Sequence, residues 1–352
     1  MKKLLITLLK VGISVAIIAW LVYDAKAKDE KVFANLWHQP KDWAVLLAAW
    51  AFCAAAVMLT LIRWCYLVRA LDIPFMFRDA FRIGLLGYLF NLAPMGIVGG
   101  DLLKAFMLAR ERRGHRAKAV ASVAVDRMIG LYMLFVVASV AILLTGFDDM
   151  PVAKIQMICK ATFLIAAVGT AGLVILLIPT LTEGRMARAL GRLPRVGRLI
   201  DSLIEPLRMY RRKIHVLLGA CFFSVGVHSL FAVGIYLIAR GLPGQVLSLA
   251  KHFVMSPLSA ATGVLPLPMG PFEAVLEFLY RHVSAVEGVV IAPGQGLVVA
   301  LGYRIITVLI AMVGFCYYLS ARREIAEVMH EAELGQPLDD DAPTSETVTQ
   351  QG

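Results

Sequence analysis

Seven charged residues lie inside hydrophobic stretches of this chain, where an ionised side chain is costly and is a functional candidate by default. They are Asp101, Lys104, Asp126, Arg127, Glu273, Glu277 and Arg304. Arginine does not lose its charge in a protein, so a buried arginine needs a carboxylate or a phosphate as partner. Arg127 and Arg304 are therefore candidate contacts for a phosphate group. The alternative is a structural ion pair, for example between Arg304 and Glu273 or Glu277.

Two breaks in the hydrophobic pattern precede Asp101 and Glu273. The first runs from Leu92-Ala93-Pro94-Met95-Gly96 to Gly99-Gly100, and the second from Leu265-Pro266-Leu267-Pro268-Met269-Gly270 to Pro271. An acid in a first helical turn compensates the helix dipole, which is the simpler interpretation of both acids. Alternatively, the free N–H groups of the two helix N-termini suit a phosphate, and the acids suit an amine, a proton or a counter-ion. Broken helices in corresponding places of two halves of a membrane protein indicate a substrate site between two repeats.

Other polar residues near the breaks extend the candidate site. Asp126 and Arg127 point about 100° apart on a helix, so one is expected to face a cavity and the other to brace a neighbouring helix. Asn91 is expected to cap backbone groups freed by the first break or to contact a ligand. Ser224 and His228 share one helix face and favour helix–helix hydrogen bonds. The predicted substrate-binding residues are Asn91, Pro94, Gly99, Gly100, Asp101, Lys104, Asp126, Arg127, Pro268, Gly270, Glu273, Glu277 and Arg304.

The composition indicates what must position these residues. Hydrophobic residues make up 59% of the 352, and the mean hydropathy is +0.75. Soluble domains are about 45–50% apolar, so we predict an all-α polytopic integral membrane protein with about six to eight transmembrane helices. The clear hydrophobic segments are 4–23, 43–62, 119–145, 155–179, 214–239 and 296–319. Ala25-Lys26-Ala27 resembles a signal-peptidase site, but 4–23 is long enough to span, so an uncleaved first helix is favoured.

The distribution of charge predicts the orientation. The formal net charge is +10, and basic residues concentrate in 63–82, 104–118 and 180–213, which we assign to the cytoplasmic side. The balanced segments 24–42 and 146–154 are assigned outside. We therefore expect both termini in the cytoplasm and anionic lipids of the inner leaflet as partners, rather than nucleic acid. Eight acids and no Lys or Arg follow from residue 324 onward, which predicts a disordered acidic tail over 324–352.

This orientation has a consequence for the two interrupted segments. Segment 83–103 has cytoplasmic flanks and is too short to cross twice, so it is expected to be a re-entrant hairpin. Segment 246–280 is expected to enter from outside, or to form two short crossings. We predict two re-entrant helical hairpins in an inverted repeat within a domain over 1–323, with halves at 1–145 and 155–323. A cavity between the hairpins follows, because irregular backbone at membrane depth must be buried in protein or line a wet cavity.

Segment 180–213 is either an amphipathic helix on the inner leaflet or a basic connector. The five cysteines are scattered without a C-x-x-C pair, so neither disulfides nor metal sites are expected. The chain has no G-x-x-x-x-G-K-[ST], H-E-x-x-H or G-x-S-x-G motif, and no cofactor is predicted.

Two groups of residues resemble the lysylphosphatidylglycerol synthase transmembrane-region family, also called flippase-like. The first is Gly87-Tyr88-Leu89-Phe90-Asn91, Pro94, Gly99-Gly100-Asp101, Lys104, Ser122 and Asp126-Arg127, and the second is Pro268-Met269-Gly270-Pro271-Phe272-Glu273-Ala274 with Tyr303-Arg304. The resemblance implies a bacterial-type inner-membrane protein that moves lipids between leaflets. Some relatives add a cytosolic domain that transfers an aminoacyl group to phosphatidylglycerol. We expect no room for such a domain after Arg323, so synthase activity is not expected.

Three hypotheses follow. The first is a translocase for a phospholipid or polyprenyl-linked glycolipid, with the headgroup in the cavity between the hairpins and with no catalytic residue. The second is a membrane-embedded transferase that acts on a lipid headgroup, with Asp101 or Glu273 as the base. The third is a non-catalytic partner of envelope-building enzymes. A homo-oligomer is compatible with all three.

Overall fold

The computed structural model describes residues 2–29, 31–92, 99–112, 114–177, 206–265, 267–287 and 290–334. Within these ranges the chain forms helices and no strand. The helices are α1 Lys2–Lys28, α2 Lys31–His38, α3 Trp43–Ala70, α4 Phe77–Leu92, α5 Gly100–Glu111, α6 Arg116–Thr145, α7 Ala153–Leu177, α8 Ile214–Gly241, α9 Leu249–Ala260, α10 Pro271–Glu287 and α11 Gln295–Leu334. Two 3-10 turns, Phe147–Asp149 and Ala261–Val264, follow α6 and α9.

Five of the described helices are long and apolar enough to cross a membrane. The qualifying stretches are Trp43–Ala70, Arg116–Thr145, Ala153–Val174, Ile214–Gly241 and Gln295–Ser320. At 1.5 Å per residue, even the shortest of them exceeds the roughly 30 Å of a bilayer core. The predicted all-α polytopic membrane fold is therefore confirmed. The crossing of α1 stays a prediction.

Helices α3 and α8 pack against each other along their whole length in opposite directions. Glycines at intervals of seven or eight residues on α8 form the contact. Gly219, Gly226, Gly234 and Gly241 face Tyr66, Leu59, Cys53 and Leu46 respectively. A Cβ on Gly234 would lie 2.6 Å from the Cys53 sulfur, so the absence of side chains allows this approach. The descending partner numbers show that the two helices are antiparallel.

Helices α4 and α5 form the first hairpin. Arg82 pairs with Glu111, and Arg112 lies 3.2 Å from Asp79, so these two ion pairs join the open end of the hairpin. Leu92 and Gly99, which flank the break, lie at the other end. With 16 and 12 residues, α4 and α5 are about 24 and 18 Å long, which is too short to cross a bilayer core. Their re-entrant placement in the membrane stays a prediction.

Helices α9 and α10 form the second hairpin. His252 on α9 lies 2.5 Å from the Tyr280 hydroxyl on α10, towards the open end. At the break, Gly270 adopts φ +106°, which side chains rarely tolerate. A Cβ there would also lie 3.0 Å from Ile17 Cβ on α1. The glycine is therefore required both by the turn and by the packing of α1 against this hairpin.

The two halves share one order of elements: a long helix, a hairpin and a second long helix. In the first half these are α3, α4–α5 and α6, and in the second half they are α8, α9–α10 and α11. Helix α6 packs against α9, and reciprocally α11 packs against α4. Together with the antiparallel pair α3–α8, this reciprocal packing agrees with the predicted inverted arrangement.

Some sequence predictions are changed or lie outside the described residues. Arg63 and Arg69, assigned to a cytoplasmic loop, lie within α3, because the helix continues to Ala70 and a carboxylate on α6 neutralises Arg63. Residues 324–334 continue α11 rather than belonging to a separate tail. Pro94, most of 180–213 and the chain after residue 334 are outside the described residues.

Candidate functional site

The tip of the first hairpin carries an ion pair between its second helix and the following long helix. Asp101 is the second residue of α5, and its carboxylate pairs with Nε of Arg127 on α6. Lys104, one turn further along α5, places its ammonium 3.8 Å from the same carboxylate. One acid thus faces two cations, and the cluster carries one surplus positive charge.

The members of this cluster differ in accessibility. The side chain of Arg127 is 57% exposed and that of Asp101 is 31% exposed, whereas Lys104 is buried at 8%. The Lys104 ammonium also lies 5.5 Å from the ring of Trp64, which provides a cation–π contact. A ligand at the tip would therefore meet Arg127 first, with Lys104 adding positive potential from behind.

Two glycines bring the hairpin helices together at this point. A Cβ on Gly100 would overlap the carbonyl oxygen of Gly87, so only glycine lets α5 approach α4 so closely. The backbone N–H of Gly100 donates to Oδ1 of Asn91 at 2.9 Å. Asn91 thus caps α5, which is one of the two roles that the sequence predicts for it. Ligand contact by Asn91, Gly99 and Gly100 stays a prediction.

Asp126 and Arg127 divide their roles as the helix geometry predicts. Arg127 points to the accessible tip, whereas Asp126 is only 4% exposed and accepts a 2.8 Å bond from Nε of Arg63. Arg63 also donates to the Ser224 hydroxyl at 2.7 Å. This buried network joins α3, α6 and α8. Close by, Nε2 of His228 lies 3.0 Å from the Gly130 carbonyl, so the predicted helix–helix contacts of Ser224 and His228 are confirmed.

The second hairpin carries the corresponding pair in a sealed form. Oε1 of Glu273 accepts bonds from Nε and Nη2 of Arg304 at 3.0 and 2.6 Å. Oε2 accepts the N–H of Gly270 at 2.7 Å. Glu273 is completely buried and the Arg304 side chain is 17% exposed. The structural ion pair, which was the alternative for Arg304, is therefore the arrangement observed.

The remaining predicted residues of the second hairpin have structural contacts. Oε1 and Oε2 of Glu277 accept the N–H groups of Gly294 and Leu297 at 2.9 Å each, so Glu277 caps the start of α11 from a neighbouring helix. Pro268 is half-buried in the turn before Gly270. Ligand contact by these residues stays a prediction.

The two acid–arginine pairs occupy equivalent positions in the two halves. In each half, the acid lies in the first turn of the second hairpin helix and the arginine lies in the next long helix. The first pair is accessible, and the second is closed. Next to the second pair in the sequence, the ring of Phe272 stacks on that of Tyr303 at a centroid distance of 5.1 Å.

Sequence reasoning missed Arg63 and Trp64. Arg63 was placed among the orientation charges, although the apolar run after it could have shown that the helix continues. Within the described residues, no group of three or more His, Cys, Asp or Glu side chains is arranged to hold a metal ion.

Comparison with known proteins connects this arrangement to a family. A family model described as the lysylphosphatidylglycerol synthase TM region matches residues 7–314, which include both hairpins and both acid–arginine pairs. No curated protein matches the chain. The match covers most of the sequence, so the chain belongs to the lysylphosphatidylglycerol synthase TM region family.

Proposed function

We propose that this protein moves a phosphate-bearing lipid, either a phospholipid or a polyprenyl-linked lipid, between the two leaflets of a bacterial-type inner membrane. The headgroup is held at the tip of the first hairpin. The observation that carries the proposal is the accessible pair of Asp101 and Arg127, placed where a helix breaks and backed by Lys104.

The chemistry of the cluster suits a phosphate. A guanidinium has five N–H donors in a planar fork, more than one carboxylate can satisfy, and it binds phosphate oxygens in a bidentate manner. The N-terminus of α5 adds a favourable dipole for an anion. The surplus charge of the cluster disappears when a headgroup phosphate with one negative charge is bound. In the empty site, Asp101 orients Arg127 and supplies its counter-charge.

The second half supports this site in a different way. The buried pair of Glu273 and Arg304 fixes the second hairpin to α11 and leaves little surface for a ligand. A cavity between the hairpin tips remains part of the proposal, because residues 93–98 at the first tip are outside the described residues. The packing order of the two halves agrees with an inverted repeat, an arrangement that solute carriers use to expose a site to either side of the membrane.

The test is a translocation assay in vesicles. Purified protein is reconstituted with acyl-labelled fluorescent phosphatidylglycerol, which keeps its headgroup intact, and a membrane-impermeant quencher is then added outside. Protein-dependent access of the quencher to more than the outer-leaflet half of the label is expected, with the lipid mass unchanged. Movement absent from the wild-type vesicles contradicts the proposal for this lipid class.

Variants locate the activity. Arg127→Ala and Asp101→Asn are expected to abolish movement, while Lys160→Gln, which removes an exposed cation on α7, should leave it intact. If both tip variants move lipid at the wild-type rate, the site assignment is wrong. A lipid of altered mass would instead support the transferase hypothesis.

A further inference from the structure

A basic cavity of about 470 Å³ lies where α3 ends and α6 and α8 begin, and no residue of the hairpin-tip cluster lines it. Its charged lining consists of Asp72, Lys118, Arg208, Arg211, Arg212 and Lys213. Five cations thus surround one acid.

The wall of this cavity is firmly built. Segment 206–213 is fixed to the end of α3 by Tyr210, which is completely buried and donates its hydroxyl to the Leu67 carbonyl at 3.0 Å. Nζ of Lys213 donates to the Ala70 carbonyl at 2.6 Å and to both carboxylate oxygens of Asp72 at 3.0 and 3.1 Å. The one acid of the lining is therefore already neutralised.

Two cations of the lining are left for a ligand. Within the described part of the chain, neither Lys118 nor Arg212 forms an ion pair or a hydrogen bond through its side chain. Lys118 lies in the first turn of α6, and Arg212 lies just before α8. An anion between them would gain two charge-assisted contacts.

The position of the cavity favours a lipid as the source of that anion. Three long apolar helices have their ends here, at Ala70, Arg116 and Ile214, which places the cavity at the level of headgroups. From its edge, an exposed apolar stripe runs along α8 through Ile214, Leu218 and Phe222, which are 44%, 62% and 78% exposed. The spacing of four residues keeps the stripe on one helix face, where acyl chains can lie.

We infer that this cavity binds the phosphate of an anionic phospholipid headgroup from the leaflet on its own side of the membrane. Lys118 and Arg212 contact the phosphate, and the acyl chains lie along the α8 stripe. The site shares no residue with the hairpin-tip cluster, so it stands whether or not the protein translocates lipid.

The experiment measures lipid binding to the delipidated full chain by native mass spectrometry. All proteins carry Arg127→Ala, which removes the exposed cation of the hairpin tip and so weakens binding there equally in every variant. The test variant is Lys118→Gln/Arg212→Gln, and the matched control is Lys154→Gln/Lys160→Gln, which removes the same charge from exposed positions on α7. Phosphatidylglycerol and phosphatidylcholine are compared as ligands.

We expect the test variant to bind phosphatidylglycerol about 10–30-fold more weakly, which is roughly three- to fivefold for each cation removed, and the control to bind normally. Equal loss in both variants would show a general charge effect and overturn the inference. If inorganic phosphate alone binds with the same affinity as the lipid, the inference that the bound anion belongs to a lipid is overturned.

A second measurement needs no substitution in the cavity. A photoreactive phosphatidylglycerol is expected to label the peptide 206–222 of the otherwise unmodified protein, with soluble glycerophosphate failing to compete. Labelling confined to other peptides contradicts the inference.

Discussion

The two equivalent ion pairs should respond differently to loss of the acid. Replacing Glu273 by Gln keeps the size of the side chain and an acceptor for Gly270, but it leaves the Arg304 guanidinium largely buried without a carboxylate. Removing one partner of a buried pair costs about 3–5 kcal/mol of unfolding free energy. Asp101→Asn affects a pair whose side chains are 31% and 57% exposed, for which the cost is about 0–1 kcal/mol.

These costs predict distinct melting temperatures. Glu273→Gln should lower the apparent melting temperature in detergent by roughly 5–10 °C, and Asp101→Asn by about 3 °C or less. The cysteines provide the assay, because Cys53, Cys65 and Cys159 are buried and react with a thiol-specific dye only on unfolding. A Cys221→Ala/Cys316→Ala background removes the half-buried and the exposed thiol.

A double substitution separates the ion pair from other effects of the change. In Glu273→Gln/Arg304→Gln no buried charge is left unpaired, so the double variant should be less destabilised than the sum of its two single variants. Equal losses in Glu273→Gln and Asp101→Asn would refute the distinction between a sealed and an accessible pair. Additive losses in the double variant would refute the pairing itself.

Three further outcomes are expected. Gly100→Ala should prevent the hairpin from closing and lower the melting temperature. Gly99→Ala should leave the melting temperature unchanged, because no atom lies within 4 Å of the new Cβ. Equal melting curves for the two variants would contradict the close approach of α4 and α5. Asp126→Leu should destabilise by about 3–5 kcal/mol, and adding Arg63→Met should recover most of it, as measured with the same dye. In a cysteine-free background, a thiol reagent that cannot cross membranes should label Arg112→Cys only from the cytoplasmic side; labelling from outside would reverse the predicted orientation.

Local features of the chain predicted the elements of the fold well. Breaks were predicted near residues 94–100 and 265–270, and the helices stop there, because proline and glycine interrupt a helix through their own backbone geometry. Uninterrupted apolar runs likewise predicted the long helices, since their length and composition are properties of the sequence alone. Arg63 is the exception: it resembles the end of a span, although the apolar residues 64–68 after it indicate that the helix continues.

The partners of the charged side chains were less predictable from the sequence than the helices were. Arg304 and Arg127 were equal candidates for a phosphate, yet one is held by a buried glutamate and the other remains accessible. Likewise, Asp126 and Glu277 were candidate ligand contacts, but one neutralises Arg63 and the other caps α11. Each of these contacts joins residues at least 17 positions apart, and no local pattern specifies such a distance.

The sequence by itself determined that this is a helical membrane protein with two broken segments, each leading into an acid. Composition, helix breakers and the position of charges act through neighbouring residues, so they can be read along the chain. Only the tertiary structure decided which charges meet, because α3, α6 and α8 must first pack to bring Arg63, Asp126 and Ser224 together. The same packing left Arg127 accessible and closed Glu273 off, and so distinguished a candidate site from its structural counterpart.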